Sequence, residues 1–232
     1  MASEAGAVQL LDSQSCLSEA EEVYELMTEL DSHTRLLGQF HPQTLAMVRR
    51  LAISFWRAGE VGHAIGLLDQ ALNDLTSSLG PGHPFRGDML KTLANILYEE
   101  CCLEPAAVVQ RELTEWWILR GGANHPNSLE AKGSLAAILF ELGQDQEAGR
   151  LEQDAFNSAR TYLGQFHPVT CVLAWNLALR RGRRGDPDSQ RRIVVNELVW
   201  LLAQDPSCLD TDQNAVRSML TERLNWNVTK IC

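Results

Sequence analysis

The chain has 232 residues, of which 45% are hydrophobic and 6% aromatic, and its formal charge at pH 7 is −10. The apolar content allows a sizeable core. The negative charge argues against nucleic acid as a partner, because binding to phosphates needs a basic surface. No apolar run is long enough to cross a membrane, and the N-terminus lacks the features of a secretion signal. We therefore expect a cytoplasmic protein that binds neither nucleic acid nor membranes.

The six cysteines do not follow the spacing of a metal site or of a disulfide framework. No Cys-x-x-Cys pair occurs, and Cys101 and Cys102 are adjacent. In a reducing compartment we expect free and mostly buried thiols. The sequence therefore predicts no bound metal and no cofactor.

The chain repeats with a constant period. The dipeptide His-Pro begins at positions 41, 83, 125 and 167, a step of 42 residues each time. The dipeptide Leu-Ala keeps the same step at 51, 93, 135 and 177, and a glycine precedes each of the histidines by three residues. Three sets of equivalent positions with one period indicate an array of structural repeats.

Each repeat is predicted to be a pair of helices, A and B. Proline is favoured in the first turn of a helix, so His-Pro marks the start of helix A, over about 43–57 in the first repeat. Helix B is expected over about 60–79. Glycine ends helix A in three repeats, and Cys101 takes its place in the second. The buried face of the first helix A is predicted from helical spacing to be Val48, Leu51, Ala52 and Phe55.

The repeat resembles the tetratricopeptide repeat, and its 42-residue form is similar to the repeats of kinesin light chains. The shared pattern is Leu-Gly-x-x-His-Pro, then Leu-Ala, then Gly and Ala at the turn between the helices. Copies of the first motif begin at Leu37, Leu79 and Leu163, and the copy that begins at Gly121 is looser. The resemblance implies an all-α, right-handed solenoid of helix hairpins that binds proteins or peptides in a concave groove.

The expected organisation is a repeat array over residues 17–209. A half repeat covers 17–40, and four repeats follow over about 41–82, 83–124, 125–166 and 167–209. Residues 1–16 are interpreted as a tail or a short degenerate helix, followed by a helix from residue 18. Residues 210–232 are interpreted as a capping helix and a tail, because the end of a solenoid needs a cap.

The sequence offers no chemistry for catalysis. Equivalent histidines in stacked repeats lie about 10 Å or more apart, whereas zinc needs its ligands at about 2 Å. We therefore expect the His-Pro histidines to cap helices and pack loops. Hydrolase, phosphate-binding and metalloprotease motifs do not occur, so we expect a scaffold or adaptor that is not an enzyme.

The resemblance to tetratricopeptide repeats implies a peptide-binding groove on the face of each helix A that is turned away from its own helix B. Arginine can pair with a carboxylate while aromatic residues take an apolar side chain, which favours an acidic and apolar peptide. Asp88, Glu99 and Glu130 leave open the alternative that these cations are neutralised within the protein. The candidate groove residues are Arg49, Arg50, Ile53, Trp56, Arg57, Lys91, Asn95, Tyr98, Phe140, Trp175 and Asn176.

A second surface supports an alternative function, a structural or regulatory domain that forms a weak homo-oligomer rather than a monomeric adaptor. The equivalents of Trp116 in the other repeats are polar, which predicts an exposed tryptophan, and the next residue is expected to be buried. The arginines of the fourth repeat either receive an acidic partner or belong to a degenerate last repeat with its charges in water. This surface consists of Trp116, Arg180, Arg181, Arg183 and Arg184.

Overall fold

The computed structural model describes the backbone of residues 4–223 and the side chains of residues 20–222. Within this range the chain is all-α, with eleven α-helices and no strand. It forms two compact units, an N-terminal unit, Met1–Val109, and a C-terminal unit, Gln110–Cys232. The predicted tail after residue 223 and the burial of Cys16 and Cys232 lie outside the described residues.

The N-terminal unit is a succession of antiparallel helix pairs. The helices are α1 Glu4–Leu37, α2 Pro42–Arg57, α3 Val61–Leu79, α4 Pro84–Glu99 and α5 Leu103–Gly121, of which α5 extends past Val109. Helix α2 packs against α1, α3 and α4, and α3 packs against α4.

The C-terminal unit continues the same pattern. The helices are α6 Pro126–Glu141, α7 Asp145–Tyr162, α8 Pro168–Arg183, α9 Pro187–Ile193, α10 Trp200–Ala203 and α11 Thr211–Arg223. Helix α8 lies at the centre of the unit and packs against α6, α7, α9 and α11. Between α9 and α10 the chain takes a π-helical form over Val194–Leu198, so that helix B of the fourth repeat is continuous but contains one wider turn.

The first helix differs from the sequence-based expectation. A short helix before residue 17 and a second helix from residue 18 were expected, but α1 is one helix over Glu4–Leu37. No glycine or proline stands between Gly6 and Gly38, so nothing in the local sequence interrupts the helix. Its buried contact is made by Leu26, which packs with Met47 and Leu51 of α2.

Histidine caps helix A in three of the four repeats. The Nδ1 atoms of His41, His125 and His167 accept a hydrogen bond from the backbone N–H two residues later, at 3.3, 3.2 and 3.2 Å. Each bond satisfies one of the free N–H groups at a helix start, which confirms the predicted capping role. His83 differs: its ring stacks on Phe85, and its buried Nδ1 has no hydrogen-bond partner within the described part of the chain.

The core follows the repeat period. Ala52, Ala94, Ala136 and Ala178 are at most 1% exposed, so the repeated alanine of helix A is buried in each of the four repeats. The predicted face of helix A is also confirmed, with Val48, Leu51 and Ala52 buried and Phe55 partly buried. None of the helices in the described range is both long enough and apolar enough to cross a membrane.

Candidate functional site

The N-terminal unit contains a groove between α2 and α4, with a volume of about 290 Å³. The residues of α2 and α4 that line it come from equivalent faces of two successive A helices. Five of the candidate residues meet in this groove: Arg49, Ile53 and Trp56 from α2, and Lys91 and Asn95 from α4. The lining is completed by Asp88, Thr92, Ile96 and Glu99.

The groove combines an apolar wall with balanced charges. Ile53, Trp56 and Ile96 supply the apolar surface. The indole Nε1 of Trp56 donates a hydrogen bond to Oε1 of Glu100 at 2.7 Å, which fixes the orientation of the ring. The cations Arg49 and Lys91 face the anions of Asp88 and Glu99, so the groove carries no net charge. The groove is therefore less basic than the cations of α2 suggested.

Three further candidates of the N-terminal unit do not line the groove. Arg50, Arg57 and Tyr98 are exposed, and none of them is among the lining residues. The Nη1 atom of Arg50 lies 3.4 Å from the sulfur of Met47 on its own helix. The helical period places residues 50 and 57 beside the groove face rather than on it.

In the C-terminal unit the predicted groove residue Trp175 is buried, with only 2% of its surface exposed. The expectation that it lines a groove is therefore wrong. Its equivalents are Arg49 and Lys91 in the first two repeats, but in the fourth repeat α11 packs against α8. Trp175 belongs to a core that includes Val216 and Leu220 of this capping helix.

Asn176 lines a second cavity, of about 150 Å³, between α6, α8 and α11. The cavity is small because Leu173 fills the space beside Gly133. A Cβ atom on Gly133 would lie 2.4 Å from Cδ2 of Leu173, so any larger residue at this position would require the Leu173 side chain to move. The other lining residues are Glu130, Ser134, Val169, Val172 and Asp212.

The aromatic position of the groove face changes along the repeats. Trp56, Tyr98 and Phe140 are equivalent, and Phe140 is partly covered by the guanidinium groups of Arg180 and Arg184, at 5.7 and 5.5 Å from its centroid. The fourth repeat has Gly182 instead. A Cβ at that position would lie 2.5 Å from Oε1 of Gln190, whose equivalents in the first three repeats are Ala64, Ala106 and Ala148.

Trp116 is buried, with 7% of its surface exposed, and the prediction of an exposed tryptophan is wrong. Its ring meets Trp117 edge to face at 4.8 Å, and the guanidinium of Arg120 lies 5.0 Å from its centroid. Trp117, expected to be buried, is only partly so and stacks on His125. A Cβ on Gly121 would lie 2.7 Å from this histidine, which explains the looser motif of the third repeat.

The arginines of the fourth repeat are engaged within the C-terminal unit. Arg180 is only 8% exposed, so its assignment to a basic surface patch is wrong; its Nε donates to Oε1 of the buried Glu152 at 2.6 Å. The other three are also hydrogen-bonded: Arg181 to Gln153 at 3.3 Å, Arg183 to Glu141 at 3.0 Å and Arg184 to Asp145 at 3.2 Å.

The ion pair between Arg180 and Glu152 was not predicted, although the sequence contains a signal for it. The equivalents of Arg180 are Ser54, Ile96 and Ile138, all of them buried. The equivalents of Glu152 are Leu26, Leu68, Gln110 and Val194, also buried. A basic and an acidic residue at two core positions of adjacent helices indicate an ion pair.

The thiols are more exposed than expected. Cys101, Cys102 and Cys208 are free and exposed, whereas Cys171 is buried. Burial, followed by the charge of Asp210, raises the pKa of the Cys171 thiol to about 12. Among the described residues, no group of three or more His, Cys, Asp or Glu side chains is arranged to hold a metal ion.

Comparisons with known proteins agree with this geometry. A family model described as a tetratricopeptide repeat matches residues 128–169. The clustered mitochondria protein homolog of Aspergillus niger is 23% identical over 179 residues, which cover 75% of this chain. The chain spans only 14% of the length of that relative.

Two solved structures share the fold. The nearly identical tetratricopeptide-like repeats of a putative kinesin light chain from Podosopora anserina superpose with a TM-score of 0.65 at 20% identity, over 92% of this chain and 94% of that one. BtubC (BKLC) from P. vanneervenii gives a TM-score of 0.69 at 15% identity, over 89% of both chains. Repeat folds of this kind form extended surfaces on which other proteins can bind. Residues 128–169 thus match the tetratricopeptide repeat, and the fold of the chain is similar to that of the kinesin light chain-like repeats.

Proposed function

We propose that the chain is a protein-interaction scaffold, not an enzyme, and that it binds an extended segment of a partner protein in the groove between α2 and α4. The composition of the groove supports this proposal, because its lining combines an apolar wall with a small number of polar groups. That combination is typical of sites that bind a peptide with defined orientation. The proposed location is the cytoplasm, in keeping with the free thiols of Cys101, Cys102 and Cys208.

The groove suits a segment in which an apolar residue stands next to an acidic one. An apolar side chain would pack against Ile53 and Trp56, whose ring is already held by Glu100. The exposed guanidinium of Arg49 can donate two parallel hydrogen bonds to a carboxylate. The side-chain amide of Asn95 offers a donor and an acceptor, which match those of a peptide group.

The attraction for an acidic residue must be local. Asp88 and Glu99 balance the two cations of the groove, and the whole chain carries a charge of −10. At physiological ionic strength, charges are screened over about 8 Å. We therefore expect affinity to depend on contact with Arg49 and to fall as salt is added.

The test begins with selection of binding peptides from a random displayed library on the folded chain. Affinities of the selected peptides are then measured by calorimetry for the wild type, Arg49→Glu and Asn95→Ala. The matched control is Arg57→Glu, which makes the same charge change on the same helix at a position outside the groove lining. Circular dichroism verifies that each variant is folded.

We expect selected peptides to carry apolar and acidic residues, and Arg49→Glu to weaken binding at least tenfold while Arg57→Glu changes it little. An equal effect of both substitutions would show that binding follows general electrostatics rather than the groove. Unchanged affinity in folded Arg49→Glu and Asn95→Ala would place the binding site elsewhere. Selected peptides rich in lysine and arginine would refute the acidic ligand but not the groove.

A further inference from the structure

Two thiols stand side by side on the surface of the N-terminal unit, in the turn between α4 and α5. Cys101 and Cys102 are both free and exposed. Their backbone N–H groups donate to the carbonyl groups of Tyr98 and Leu97, at 3.0 and 2.8 Å. The turn is therefore a hydrogen-bonded part of the fold that presents two neighbouring thiols to solvent.

The backbone of Cys101 is unusual for its residue type. Its φ angle is 57°, while the glycines at the same place in the other repeats, Gly59, Gly143 and Gly185, have φ angles of 80°, 73° and 75°. A residue with a Cβ is disfavoured in this left-handed conformation, which glycine adopts without strain. A cysteine at this position makes the turn less favourable, so the turn geometry alone does not account for it.

We propose that the turn is a two-thiol binding site for soft ligands that bond two sulfur atoms, with organic compounds of trivalent arsenic as the representative class. In water such a compound is R–As(OH)₂. Each thiol replaces one hydroxide, so two As–S bonds form, two As–O bonds break and two molecules of water leave with the thiol protons. Arsenic keeps its oxidation state, and no oxidant or reductant is required.

The adjacency of the two residues favours this ligand class over an internal disulfide. Consecutive Cα atoms are about 3.8 Å apart, below the usual range of about 4.4–6.8 Å for a disulfide. A disulfide within the turn would be strained and easily reduced. Arsenic adds an atom between the sulfurs and closes a larger ring, so the two thiols can both bond without that constraint.

The surrounding charges favour a neutral ligand. Glu99 and Glu100 precede the two thiols, Glu104 follows them, and all three are exposed. Their negative charges disfavour the approach of anionic reagents. A hydrated arsenical carries no charge near pH 7, so these carboxylates do not repel it.

The remaining described cysteines cannot offer the same site. Cys208 is exposed, but its neighbours along the chain are Ser207 and Leu209. Cys171 is 1% exposed. Binding through two sulfurs makes the second bond intramolecular, which raises the overall affinity by about 10²–10⁴-fold over a single bond.

The experiment uses the full chain with Cys16, Cys208 and Cys232 replaced by serine, and phenylarsine oxide as the probe. Intact-mass spectrometry counts the adducts, and circular dichroism verifies folding. The two site variants are Cys101→Gly, which restores the glycine of the other repeats, and Cys102→Ser. N-ethylmaleimide, which needs one thiol only, measures how accessible each cysteine is.

We expect one arsenical per chain, resistant to excess 2-mercaptoethanol and released by 2,3-dimercaptopropanol. Cys101→Gly and Cys102→Ser should each lower the affinity about 100-fold while remaining folded. The proposal is overturned if the parent chain binds no arsenical, whether or not N-ethylmaleimide modifies the two thiols. It is also overturned if either single variant keeps the affinity of the parent.

Discussion

The buried ion pair of the C-terminal unit allows a quantitative test of the core. Glu152 of α7 and Arg180 of α8 are 1% and 8% exposed, and their Oε1 and Nε atoms are 2.6 Å apart. Replacing Arg180 with isoleucine, the residue at positions 96 and 138, leaves the Glu152 carboxylate buried without its cation. We expect Arg180→Ile to lower the free energy of unfolding by about 3–5 kcal/mol.

Replacing Glu152 instead of Arg180 should destabilise the chain by a similar amount. Replacing both residues together should cost much less free energy of unfolding. Glu152→Leu introduces the residue found at positions 26 and 68 and leaves the guanidinium of Arg180 unpaired. The double variant Glu152→Leu/Arg180→Ile introduces the apolar combination found at one other junction, Leu68 of the first repeat with Ile96 of the second. Because replacement of a whole buried pair is often neutral, we expect it to lie within about 1 kcal/mol of the wild type. The coupling energy would then be several kcal/mol.

The assay is urea denaturation followed by circular dichroism, with the slope of the transition compared between variants. The control is Arg183→Ala, which breaks an exposed pair with Glu141 at 3.0 Å and should cost about 0–1 kcal/mol. A loss below about 1 kcal/mol in Arg180→Ile would refute the reasoning, because the carboxylate would then have to be hydrated. A double variant as unstable as the sum of the single variants would show that the two residues do not interact.

Three further outcomes are expected. Leu135→Ala, at a position 4% exposed, should lower the free energy of unfolding by about 2–5 kcal/mol in urea denaturation, and a loss below about 1 kcal/mol would mean that its site collapses without a cavity. Ala136→Leu, at a position 0% exposed, should cost about 1–3 kcal/mol through overpacking, and a neutral result would contradict the close helix contact. In the folded chain the pKa of the Cys171 thiol is raised to about 12, whereas the pKa of an unfolded cysteine is about 8.5. The unfolded state therefore binds fewer protons above about pH 9, so stability should fall as pH rises, by up to about 1.4 kcal/mol per unit for this group. Denaturation between about pH 8 and 10.5 measures the slope, and an equal slope in Cys171→Ala would contradict the assignment.

Much of the fold was accessible from local signals in the sequence. His-Pro and the repeated glycines set the helix starts and ends because they act within one turn of the chain, and the caps of His41, His125 and His167 follow from them. Of the candidates on α2 and α4, Arg49, Ile53, Trp56, Lys91 and Asn95 line the groove because they share the face that each helix A turns away from its own helix B, whereas Arg50, Arg57 and Tyr98 lie outside the lining.

The wrong predictions concern positions whose neighbouring helices or residues differ from those of the equivalent positions in other repeats. Trp175 is covered by α11, which takes a place that another helix A would hold. Comparison of equivalent positions treats each repeat as surrounded by copies of itself, so it cannot detect this cover. The burial of Arg180 depends on Glu152 in the preceding repeat, and such a pair is visible only when two sets of positions are compared together.

The ion pair also bears on the order in which the repeats can be joined. Its acid lies in helix B of the third repeat and its base in helix A of the fourth, whereas the corresponding positions of the first and second repeats are Leu68 and Ile96. A rearranged chain in which the fourth repeat follows the first would bury the guanidinium of Arg180 against leucine. Duplication or deletion of single repeats is therefore restricted at this junction, and the third and fourth repeats are expected to be gained, lost or transplanted as one block.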